Sequence, residues 1–163
     1  MRKIYNKSWP RKNLGELVNF LDRQYPQGYS LDDLSAKFGK SRQYISQTFQ
    51  RDDMKLSKAE WIAEQYGYHL KLYFPVRERI GLDYSVHKRE YPNAGNLAGL
   101  EKYIYDSNIS INYMSQRIGR ANNVLTNAFI RGDIFISTLY EVIKNLNIEV
   151  VWSFEKADEN TEE

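Results

Sequence analysis

In "GKSRQYISQTFQR", residues 39 to 51, Arg42, Gln43, Ser46 and Gln47 share one kind of chemistry. If the span is helical with Ile45 turned inward, all four fall on the outward face. An arginine fork donates two parallel bonds to a planar acceptor edge, and a glutamine amide donates and accepts at once. Some eighty residues on, Asn122, Asn123, Thr126 and Asn127 hold the same places in "GRANNVLTNAFIR" without any charge. Cations flank both spans: Lys40 and Arg51 around the first, Arg120 and Arg131 around the second. Ser41, beside Lys40, adds a hydroxyl. These are groups for reading a surface.

Groups for transforming a substrate are scarce. The chain has no cysteine and two histidines, His69 and His87. Neither has neighbours spaced as metal ligands. No nucleophile, base and orienting group can be assembled around them. We therefore expect no catalytic residues, no metal and no cofactor.

The elements that must position the reading groups are mostly helices. Asn13 and Glu16 have capping-box spacing ahead of the stripe Leu14, Leu17, Val18 and Leu21. Ser30 can cap a second helix, with Asp33 in its first turn and Leu31, Leu34 and Phe38 facing inward. Gly39 stands where a left-handed residue usually ends a helix. A third helix is predicted from Ser41 to Gln50, and a Ser57–Glu60 box should open a fourth. After Gly67 the period becomes two. Tyr68, Leu70, Leu72 and Phe74 share one side of a strand, with His69, Lys71 and Tyr73 on the other.

The order then restarts. "NLGEL" at 13–17 returns as "NLAGL" at 96–100, an offset of 83. A shorter loop, "SNIS" for "QYPQGYS", reduces the offset to 80. It then pairs Ser35/Ser115, Gly39/Gly119, Phe49/Phe129, Arg51/Arg131, Asp53/Asp133, Ser57/Ser137 and Phe74/Phe154. The second copy also ends in an alternating run, Ile148, Val150, Trp152 and Phe154. The chain is a tandem repeat.

Each copy resembles the Cro/phage-repressor (xenobiotic-response-element-like) helix-turn-helix family. The first carries the resemblance in Leu34, Ser35, Phe38, Gly39 and Ile45, the second in Met114, Ser115, Ile118, Gly119 and Leu125. It covers about 120 of the 163 residues. The family often has glycine after the arginine that follows its second helix. Arg131-Gly132 keeps that pattern, whereas Arg51-Asp52-Asp53 departs from it and would set two carboxylates near a phosphate backbone.

The resemblance implies a mainly α fold of two tandem lambda-repressor-like domains, each ending in a short β-strand. A lone strand would expose an apolar face and unpaired backbone groups, so antiparallel pairing of the two strands is expected. It also implies double-stranded DNA as partner. Arg42, Gln43, Ser46, Gln47, Asn122, Asn123, Thr126 and Asn127 would then meet base edges. Lys40, Ser41, Arg51, Arg120, Arg131 and the N-terminal arm would meet phosphates.

The partition that follows is a basic arm (1–12), a first domain (13–75), a connector (76–95), a second domain (96–155) and an acidic tail (156–163). Residues 1–95 hold 17 Lys+Arg against 11 Asp+Glu, and residues 96–163 hold 6 against 10. The basic front suits a polyanion. No apolar run approaches the roughly 18 residues of a membrane span, no secretory h-region is present, and the lack of cysteine agrees with the cytoplasm. The expectation is a bacterial or phage-type transcriptional regulator, acting as a single-chain pseudo-dimer or as a homodimer formed by strand exchange. The alternative is a protein-interaction module, antitoxin-like or an assembly protein, in which one or both units do not bind DNA.

Overall fold

The computed structural model describes residues 8–75 and 91–157. Among them are eight α-helices and one two-stranded antiparallel sheet, so the protein is mainly helical. In chain order come α1 (Gly15–Gln24), α2 (Leu31–Phe38), α3 (Arg42–Arg51), α4 (Leu56–Gln65) and β1 (Tyr68–Tyr73). A 3-10 turn at Gly95–Leu97 leads to α5 (Ala98–Asp106), α6 (Ile111–Arg117), α7 (Val124–Arg131), α8 (Ile136–Leu146) and β2 (Val151–Lys156). No described helix is long and apolar enough to cross a membrane.

The chain divides into two compact units. Unit 1 draws its described residues from Met1–Leu70, Phe135–Ser137 and Phe154–Glu163, and unit 2 from Lys71–Ile134 and Thr138–Ser153. Each unit thus borrows short pieces from the other copy of the repeat.

In unit 1 the apolar stripes of α1 to α4 meet in one core. Leu14, Leu17, Leu21, Leu34 and Leu56 are fully buried, with Phe20 and Phe49 beside them. Burying one such side chain contributes about 1.5–3 kcal/mol. Trp9 stacks on Phe49, ring centroids 4.6 Å apart, so the described end of the basic arm packs against the core. Tyr29 is buried next to Tyr25, whose hydroxyl meets that of Tyr66 at 2.8 Å. Burial and that bond push the Tyr66 phenol well above the usual tyrosine range. The borrowed Phe154 stacks on Phe20 at 4.2 Å.

Ser30 caps α2 as expected, in a reciprocal box with Asp33. The other two boxes do not form. At α1 the N-cap position is Leu14, and the caps come instead from Asp52, whose carboxylate accepts the Asn13 and Leu14 N–H groups at 2.8 and 2.9 Å. At α4 the N-cap position is Lys55, one residue before the helix starts at Leu56, so Ser57 lies too far inside to cap. Its counterpart Ser137, in the first turn of α8, donates from both N–H and Oγ to the Asp53 carboxylate at 2.9 and 2.7 Å. A carboxylate at a helix N-terminus is favoured by the exposed N–H groups there. An antiparallel bridge, Lys55 to Phe135, and an Ile136 N–H bond to the Met54 carbonyl complete this junction inside unit 1.

The core of unit 2 holds Leu97, Leu100, Ile104, Met114, Leu125, Phe129 and Leu139. Phe74 lies against Gly99, where an added Cβ would stand 3.1 Å from its ring. Trp152 is buried and its indole N–H donates to the Tyr140 hydroxyl at 3.0 Å.

On β1 the predicted alternation holds at Leu70 and Leu72, which are buried, and at His69, Lys71 and Tyr73, which are exposed, while Tyr68 and Phe74 are half-buried; on β2 Trp152 is buried and Phe154 half-buried. The second strand begins at Val151, not at Ile148. Asn147 adopts a left-handed turn (φ 53°), and the Ile148 N–H bonds back to the Ile143 carbonyl, which keeps the chain curled at the end of α8.

Candidate functional site

The α2–α3 pair is set by four local features. Gly39 takes φ 65°, a conformation that side chains with a Cβ avoid, and turns the chain out of α2. Ser35 Oγ donates to the Lys40 carbonyl at 2.6 Å and pins the turn. Ser41 takes the N-cap and accepts the Tyr44 N–H at 3.1 Å. Ile45, Thr48 and Phe49 bury the opposite face of α3.

What remains outward is the predicted set. Arg42, Gln43 and Gln47 are exposed and Ser46 is half-buried, all on α3. Arg42 lies 3.5 Å from Asp32 of α2, with both side chains well exposed. Such a pair contributes roughly 0–1 kcal/mol, so the guanidinium is easily released to a better acceptor. Lys40 and Arg51 are exposed at the two ends of α3.

Two side chains that sequence reasoning passed over belong to the same surface. Tyr44 is exposed, with Lys58 Nζ 3.9 Å and Lys40 Nζ 5.6 Å from its ring centroid. Partial burial, and then the neighbouring Lys40 charge, hold the Lys58 ammonium below the usual lysine range. A phosphate between the two ammonium groups would relieve that repulsion. The signal in the sequence was weak, because Lys58 lies on α4 and reaches this face only through the packed turn.

Asp52 and Asp53, which follow α3, are both engaged within unit 1. Asp52 is buried and left-handed (φ 57°) with its carboxylate on the start of α1. The Asp53 carboxylate is held by Ser137. Both carboxylates thus have hydrogen-bond partners within the chain.

The second copy is built differently. Ser115 is fully buried and accepts the Leu125 N–H at 3.3 Å, and Gly119 is left-handed (φ 74°). Ala121 stands where the first copy has Ser41, and it has no oxygen to cap a helix. Accordingly α7 starts at Val124, so Asn122 and Asn123 lie in the turn before it and not in its first turn. Asn122 Oδ1 accepts from Gln116 at 2.7 Å, and Asn123 and Asn127 are exposed. Thr126 is half-buried and faces a cleft beside α5. Arg120 is 3.4 Å from Glu141, while Arg131 is exposed at the end of α7.

The arm is covered only from residue 8. Arg11 there bonds Asn19 at 2.9 Å and lies 3.6 Å from Asp22, and Lys12 is exposed. Arg2, Lys3 and Lys7 lie outside the described residues, as does His87. Among the described residues no group of three His, Cys, Asp or Glu side chains is placed to hold a metal ion. Compared with protein-family models, curated proteins and solved structures, the chain matches none.

Proposed function

We propose that the chain is a sequence-specific double-stranded DNA-binding protein of the tandem helix-turn-helix kind, working as a transcriptional regulator. The observation that carries this reading is α3. Its apolar face is locked by Ile45 and Phe49, its start is fixed by Gly39 and Ser41, and it presents Arg42, Gln43 and Gln47 to solvent. In such a unit the N-terminal part of the second helix meets base edges in the major groove. Arg42 then pairs with guanine O6 and N7, and Gln43 or Gln47 with adenine N6 and N7. Lys40, Lys58 and Arg51 supply phosphate contacts. Pairing of β1 with β2 supports a single chain standing in for a dimer.

Binding sites selected from a random DNA pool provide the test. On a selected duplex, Arg42→Ala or Gln43→Ala should cost about 1–3 kcal/mol and relax preference at one position. An unchanged ratio between matched and mismatched duplexes would remove these residues from the reading role. Separately, replacing Lys40 and Lys58 by Ala should flatten log affinity against log salt by about 0.9 for each lost phosphate contact. A slope equal to that of the wild type would assign both lysines to tyrosine packing alone.

A second reading, a protein-interaction module, draws support from α7. Its late start leaves Asn122 engaged with Gln116 and gives the helix no cation in its first turn. Under that reading only α3 touches DNA, or neither helix does.

A further inference from the structure

Glu101 has no counterpart in the first copy. The offset of 83 that matches "NLGEL" to "NLAGL" places it opposite Val18, which is fully buried on α1. The scaffold therefore accepts an apolar residue here, yet α5 carries a carboxylate that is 2% exposed. Both of its oxygens are buried and lack a hydrogen-bond partner. An unpaired buried carboxylate is costly, and native structures rarely keep one without a use.

The surroundings differ as well. The first copy has the longer loop between its first two helices and buries Tyr29 from it. In the shorter loop of the second copy the smaller, half-buried Ile109 holds that place, and a cleft of about 520 Å³, lined in part by Ile109, lies there within unit 2. Its lining includes Glu101, Tyr91, Tyr105, Asn108, Ser110 and Thr126. A cleft of this size suits a small molecule.

We infer that this cleft is a binding site for a small organic cation, an alkylammonium or guanidinium compound, held by Glu101. The carboxylate, sealed from the cleft in the free protein, turns toward the cation and supplies the charge-assisted bond that it lacks within the chain. The tyrosine rings offer faces for the cation, and the amide and hydroxyl groups of Asn108 and Ser110 take polar substituents. One carboxylate with neutral oxygens around it lacks the ligand set of a metal site, which again favours an organic cation. The inference does not rest on DNA binding.

Calorimetric melting of the full chain tests it, using n-butylammonium chloride, agmatine and neutral n-butanol at matched ionic strength. At least one of the two cations should raise Tm by about 5 °C when present near 100 times its dissociation constant, and butanol should not. Glu101→Gln should abolish the response. Glu101→Val, which copies Val18, should abolish it too while raising the Tm measured without additive. A wild-type chain indifferent to both cations, or variants that respond as strongly as the wild type, would overturn the inference.

Discussion

Gly132→Ala is expected to destabilise the protein by roughly 2–5 kcal/mol. Two costs combine. Gly132 ends α7 with φ 67°, where an L side chain loses about 1–2 kcal/mol. Its Cβ would also stand 2.4 Å from the Asn93 carbonyl oxygen and 3.2 Å from that of Ala94, both backbone atoms that cannot swing away. Gly39→Ala separates the two terms. Its φ is 65°, but nothing lies within 4 Å of the added carbon, so only the backbone cost applies. Denaturant unfolding should therefore rank Gly132→Ala well below Gly39→Ala. Equal losses would show that the segment at Asn93 yields and that the close approach costs nothing.

Asp52→Ala should cost about 2–4 kcal/mol, although the aspartate sits at a position where the second copy has glycine. The change strips two charge-assisted bonds from Asn13 and Leu14 and leaves their N–H groups beside a buried methyl. It also removes a negative charge from the start of α1 and forces alanine into φ 57°. Asp52→Asn retains one acceptor oxygen and tolerates the left-handed turn, so it should lose less than half as much. Asp52→Gly removes the strain and still loses the caps, and should fall between them. If Asp52→Asn melts with Asp52→Ala, the charge itself carries the cap.

Much of this arrangement could be read in the chain. The period of 3.6 fixed the buried faces of α2 and α3, Ser30 and Gly39 announced their own roles, and alternation after Gly67 located β1 with the correct side inward. Local signals of that kind depend on neighbours a few residues away. One misreading has the opposite property. Asn13 was assigned from local spacing, but the caps of α1 come from Asp52, 38 to 39 residues distant. A carboxylate that reaches across the fold leaves no periodic trace. For the candidate site, the outward face of α3 was legible and its second-copy equivalent was not. One missing oxygen, Ala121 for Ser41, moved the start of α7 and took Asn122 and Asn123 out of the helix. The burial of Glu101 and the use of Lys58 depend on packing and carry no motif.

The borrowed pieces in unit 1 also have a consequence for how the protein is made. Phe20 is covered by Phe154, and Asp53 waits for Ser137, so the early part of the chain cannot finish its structure from its own residues. A ribosome adding 5–20 residues per second needs on the order of 4–16 s to pass from the end of β1 to Phe154. For that interval the nascent first repeat keeps an aromatic face open to solvent and to chaperones. Fast elongation should therefore favour soluble yield, and a cluster of slowly translated codons between the repeats should lower it.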